Sequence, residues 1–165
     1  MVISARASDK LISGILYLGI IVITLWGGQK IINRAIETRF YNDFLLKWEI
    51  AAKNYSVSGS KLPVFKGTNH MLYMNQLANL MQKQLISLPA SNTNNPFIYQ
   101  LNRIFSPKER IFLFCLADRI ILYGISKTTI MYLTKMIDKS SNQNKKNFSA
   151  YKGKNQTNYT GQIKL

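Results

Sequence analysis

The spacing of apolar residues changes character three times along the chain, and each change predicts a different element. Leu11–Gly28 reads LISGILYLGIIVITLWGG, eighteen residues without a charge, bounded by Lys10 and Lys30. As an α-helix this run covers about 27 Å at 1.5 Å per residue, close to the roughly 30 Å of a bilayer's hydrocarbon core. The run is therefore expected to cross a membrane after a short flank of residues 1–10. Leu11, Ile15, Leu18, Ile21 and Leu25 are then the lipid anchor, and Trp26 sits at the interface. A cleaved signal peptide would have a shorter apolar core followed by a small-x-small junction, and Leu25-Trp26-Gly27-Gly28 provides none.

Beyond Lys30 no Pro or Gly appears until Gly59, so the helix is expected to continue through residues 29–56 as an amphipathic extension. Tyr41, Leu45, Trp48, Ala52 and Tyr55 recur at steps of 4, 3, 4 and 3, one stripe of an α-helix, while Lys47, Lys53 and Asn54 fall off it. That stripe needs a domain to pack against. Gly14 and Gly19 in the apolar half offer close approach to a neighbouring helix.

The third regime, residues 57–138, mixes short helices and strands. Ser56–Lys61 is a loop, and Met71–Leu85 is a helix whose inner face is expected at Leu72, Leu77, Leu80, Met81 and Leu85, capped by Thr68 or Asn69. Phe97–Leu101 is a short strand. Arg110–Ser126 holds two β-branched and aromatic runs flanking Asp118-Arg119, a β-hairpin turning at that pair. Its first run is apolar at both parities, Ile111, Leu113 and Cys115 one way and Phe112, Phe114 and Leu116 the other, which predicts a strand covered on both faces. Ser126 caps a further helix with Ile130, Leu133 and Ile137 inward. The expected fold class is α+β, a long N-terminal helix packed on a small antiparallel sheet with two short helices. Residues 139–165 hold six lysines and no acid, and are expected to wrap the domain loosely or to be disordered, with Phe148, Tyr151 and Tyr159 as docking points. Deleting them is expected to leave the remainder folded unless those aromatics hold an edge strand.

Composition narrows the function classes. One Cys and one His exclude an internal disulfide framework and a Cys/His zinc site, and 47% hydrophobic residues exclude disorder throughout. Lys plus Arg number 22 against seven acids, a formal charge of +15. Asn, Ile and Lys supply 51 of 165 residues, all from A/T-rich codons, so the charge is a weak sign of a selected partner. It still attracts polyanions. Lys139, Lys145, Lys146, Lys152 and Lys154 alternate with the tail aromatics, the mixture that contacts nucleic acid, or anionic lipid, weakly and without selectivity. Catalysis finds little purchase. His70 lacks a partner motif, Cys115 sits in an apolar strand, and Glu37, Asp43, Glu49, Glu109, Asp118 and Asp138 show no paired spacing and default to surface charge. No glycine-rich phosphate loop is present, and no cofactor is expected.

An apolar helix continuing into an amphipathic one, then a small α+β domain and a polar tail, resembles the layout of type IV pilins and pseudopilins. Trp48-Glu49-Ile50-Ala51-Ala52-Lys53-Asn54-Tyr55 followed by Leu62-Pro63 is similar to the end of their long helix. Tyr123-Gly124-Ile125-Ser126, Leu133, Met136-Ile137-Asp138 and Gly161 resemble their strand, helix, Asp and closing Gly. The resemblance implies a non-enzymatic, single-pass subunit of a pilus or secretion assembly in a bacterial inner membrane, its domain on the periplasmic or extracellular side. Implied partners are membrane lipid and other pilin-like or secretion-system subunits. Ser8-Asp9-Lys10-Leu11-Ile12 stands where the family carries a processed junction and a glutamate that supports assembly, so a minor or accessory component is expected. Asp138 alone stands where major pseudopilins hold calcium, so no calcium is expected. The rival reading is a monomeric anchored domain that binds a polyanion through its basic tail.

Overall fold

The computed structural model describes residues 5–65, 67, 69–140, 148–153 and 158–165. The chain divides into two compact units, Met1–Ala35 and Ile36–Leu165. Helix α1 spans Ala5–Arg39, a π-helical segment covers Phe40–Leu45, and α2 spans Leu46–Val57, with no break between them. Helix α3 (His70–Lys83) and strand β1 (Ile98–Leu101) follow, then the hairpin β2 (Glu109–Cys115) and β3 (Arg119–Ile125). Helix α4 (Lys127–Ser140), β4 (Phe148–Lys152) and β5 (Tyr159–Lys164) complete the second unit. The long helix, the antiparallel sheet and the two short helices make an α+β layout.

Tyr41, Leu45, Trp48, Ala52 and Tyr55 are all buried, joined by Phe40, Phe44 and Ala51. Phe40 and Phe44 stand four residues apart in the π-helical segment, share a face and meet the same partner. Their ring centroids lie 5.1 and 5.0 Å from that of Tyr99 on β1. Trp48 is fully buried and donates its indole N–H to the Pro96 carbonyl at 2.9 Å, so the largest core side chain leaves no orphan donor. The helix stops past Val57, where Gly59 takes φ +79°.

Helix α3 is capped by Asn69, whose side chain accepts the Leu72 N–H at 3.0 Å. Its buried stripe is Tyr73, Met74, Leu77, Ala78 and Met81, whereas Leu72 and Leu80 are exposed and Leu85 lies beyond the helix, 95% exposed. The stripe expected at Leu72, Leu80 and Leu85 is therefore rotated. Packing against β2 sets the rotation, since Tyr73 lays its ring on Phe114 and Met74 Sδ accepts the Cys115 N–H at 3.4 Å.

All strand pairings are antiparallel, in the order β1-β2-β3-β5-β4. The hairpin turns one residue earlier than expected. Cys115 pairs with Ile120 and the Leu116 N–H donates to the Arg119 carbonyl at 2.8 Å, leaving Ala117-Asp118 as the loop. Arg119 is thus the first residue of β3, its guanidinium bonded to Asp118 at 2.9 Å. The larger difference lies in the tail, where β5 inserts between β3 and β4 and places Ile163 and Phe148 in the core. The second compact unit thus runs from Ile36 to Leu165 and takes in both β4 and β5. Gly161 permits this packing, because a Cβ there would stand 2.8 Å from Ile125 Cδ1 and 2.9 Å from Phe148 Cε2.

One face of the sheet carries Tyr99, Ile111, Leu113, Ile120, Leu122 and Ile163 toward the long helix and α4. On the other face, Phe65, His70 and Tyr73 cover Phe114. At the β1 edge Asn92 imitates a neighbouring strand. Its side-chain oxygen accepts the Gln100 N–H at 2.8 Å and its amide donates to the Gln100 carbonyl at 2.6 Å.

Candidate functional site

Three features stand apart from ordinary core packing. The first is the apolar helix of the N-terminal unit, long and apolar enough to cross a membrane. Twelve large apolar side chains between Leu11 and Trp26, including Ile15, Leu18, Ile21 and Leu25, are each at least 55% exposed. Gly14 and Gly19 face open space. Thr24 returns its hydroxyl to the Ile20 carbonyl at 2.8 Å, which satisfies its one polar group within the helix. Lys30 Nζ lies 3.5 Å above the Trp26 ring, a cation–π contact at the end of the uncharged run.

The second is a buried ionic network that the spacing of charges along the chain does not reveal. Arg103, 3% exposed, donates Nε to Glu37 at 2.6 Å, Nη1 to Glu109 and Nη2 to the Thr129 hydroxyl at 2.6 Å. Glu109 Oε2 accepts the Ser126 N–H at 2.9 Å and the Thr129 hydroxyl at 2.7 Å, while the Ser126 hydroxyl caps α4 through the Thr129 N–H. Glu37 and Glu109 are accordingly not surface charges. Burial alone would raise the Glu109 pKa, but hydrogen bonds from Thr129 and Ser126 and the Arg103 charge outweigh it and hold the carboxyl below its ordinary value. One guanidinium is shared by two carboxylates, and neutral donors from Ser126 and Thr129 complete Glu109, a structural clamp tying the long helix, β2 and α4 together.

The third is the sheet face opposite the long helix. The pairing register sets Phe112, Tyr123, Thr160 and Tyr151 side by side across β2, β3, β5 and β4. Phe112 and Tyr123 are half-buried with ring centroids 6.1 Å apart, and Tyr151 is 53% exposed. His70 and Met71 flank the first two rings and close an apolar cleft of about 340 Å³. The same strand faces carry Arg110 two residues from Phe112, and Arg119 paired with Lys164.

The lysines expected to hold polyanion fall unevenly. Lys152 is exposed at the end of β4. Lys139 belongs to α4, but its side chain lies outside the described residues, and Lys145, Lys146 and Lys154 lie outside them altogether. Thr68, the alternative cap, is also outside them. His70 is exposed as the first residue of α3, among the rings of Phe65, Phe114 and Tyr123. Cys115 is fully buried, and burial pushes its thiol up to about 12, which suppresses the nucleophilic thiolate. Among the described residues no three His, Cys, Asp or Glu side chains converge as metal ligands. No family model, curated protein or solved structure matches this chain.

Proposed function

We propose that this chain is a membrane-anchored, non-enzymatic subunit of the pilin or pseudopilin type, a minor component of a pilus or secretion assembly. The reading rests on one helix with two environments. Its first half leaves twelve large apolar side chains uncovered, and its second half supplies Phe40, Phe44 and Trp48 to the core of an antiparallel-sheet domain. The uncovered side chains amount to on the order of 1,000 Å², beyond the largest apolar patch of a typical soluble monomer, roughly 300–600 Å². At about 25 cal/mol per Å², immersion in water would cost about 25 kcal/mol, more than a domain's whole stability of roughly 5–15 kcal/mol. Lipid or the helices of neighbouring subunits must cover that surface. The bacterial inner membrane, with the domain on its outer side, fits the family layout.

Carbonate extraction of native membranes tests the anchor: the full-length chain is expected in the pellet, and a soluble form beginning near Gly28 would refute it. In-membrane crosslinking from Gly14 and Gly19 tests the assembly. Adducts to one or a few other subunits are expected; long homopolymers would refute the minor role, and no adduct at all would refute assembly.

A further inference from the structure

We propose that the sheet face opposite the long helix binds single-stranded nucleic acid, whether or not the chain is anchored in a membrane. Phe112, Tyr123 and Tyr151 lie in one cross-strand row. Neighbouring strands are about 4.8 Å apart, so the row extends about 14 Å across the four strands from β2 to β4. Aromatic rings on a sheet face at such intervals stack the unpaired bases of a single strand, two or three at a time, because every base has a π-face.

The cleft beside His70 and Met71 admits one ring system against Phe112 and Tyr123, and Tyr151 offers a second platform two strands away. Cations flank the row on both sides along the strand direction. Arg110 is two residues beyond Phe112 on one side, and on the other Lys164 is exposed four residues beyond Thr160, next to Arg119, whose charge is taken up by Asp118. A strand of nucleic acid crossing the sheet along the row would keep its phosphates within reach of these groups while its bases met the rings. The neighbouring carboxylate, Asp118, is already held by Arg119. An apolar protein segment would satisfy the rings but not this double flank of positive charge, and a duplex would keep its bases stacked on one another, away from the rings. The net charge of +15 adds a long-range attraction to the same class of ligand.

Fluorescence anisotropy with full-length protein in neutral detergent micelles and labelled dT12 tests the proposal. Binding at 50 mM salt is expected, with at least tenfold preference over a twelve-base-pair duplex. Tyr151→Ala, at an exposed position, should weaken dT12 binding about tenfold while leaving the melting temperature unchanged. The double variant Arg110→Gln, Lys164→Gln should flatten the logarithmic salt slope by about 1.4, near 0.7 for each phosphate left without its cation. Equal affinity for duplex and single strand would overturn the assignment. So would an unchanged Tyr151→Ala beside a Lys145→Gln, Lys146→Gln variant that abolishes binding, because the charge of the tail would then account for all of it. Absence of dT12 binding at 50 mM salt would overturn it outright.

Discussion

Replacing Arg103 by methionine would keep most of the side-chain volume while deleting the cation shared by Glu37 and Glu109. The two carboxylates have side chains only 12% and 10% exposed, so water could resolvate them only partly. Breaking a buried ion pair from one side costs about 3–5 kcal/mol, because the remaining charge is left without compensation. Here two carboxylates lose one partner, which places the expected loss in the upper part of that range. Against a domain stability of roughly 5–15 kcal/mol this removes a third or more, or about 10 °C of melting temperature. Urea unfolding of the full chain in micelles, followed by near-ultraviolet dichroism and the fluorescence of buried Trp48, would measure it. The triple variant Arg103→Met, Glu37→Gln, Glu109→Gln removes all the charges together and should recover at least half of the loss. An Arg103→Met protein within about 1 kcal/mol of the native chain would refute the clamp.

The pH profile follows from the same cluster. Glu109 has a folded pKa below its unfolded value, so its contribution is present above the unfolded pKa and disappears as pH falls through the folded one. Stability of the native chain should therefore drop on acidification below the ordinary glutamate range, and Glu109→Gln should flatten that drop. Gly124 takes φ +80° with the Arg110 carbonyl 2.5 Å from where a Cβ would stand, so Gly124→Ala should destabilise by about 2 kcal/mol or more in the same urea assay. Cys115 should resist Ellman's reagent in the native state and react within seconds in concentrated guanidinium; rapid native labelling would contradict its burial. Asn92→Ala should cost about 1 kcal/mol and promote association through the bared β1 edge, seen as concentration-dependent light scattering.

Much of the architecture was legible because local period carried it. The steps of 4, 3, 4 and 3 from Tyr41 to Tyr55 and the uncharged run from Leu11 need only the helix repeat to be read. The two apolar parities of Ile111–Cys115 likewise announce a strand. What escaped depends on partners far away in the chain. In β4 only Phe148 is buried, and β5 reads Tyr-Thr-Gly-Gln-Ile-Lys, so neither carries an alternation that separates it from a polar tail. Their place follows from pairing with β3 and from the room that Gly161 leaves for Phe148. The Arg103 clamp is hidden for the same reason, since Glu37 stands 66 residues from its partner. The aromatic row could not be read either, because parity puts Phe112 and Tyr123 on faces of their own strands but does not say that register aligns them with Tyr151.

The insertion of β5 between β3 and β4 also orders events in time. Until residue 164 has been synthesised, β3 has β2 on one side and a bare edge on the other, with Ile120 and Leu122 facing a core that lacks Ile163. Arg119 waits for a partner 45 positions later, Lys164, and β4 has nowhere to dock until β5 arrives. The helix from Asp9 to Val57 is available long before this. If it enters a bilayer first, the domain must close its sheet while already tethered, and a ribosome stalled shortly before residue 159 would leave a membrane-bound chain with an adhesive strand edge. Such a chain is a natural substrate for the chaperones and proteases that patrol membrane surfaces.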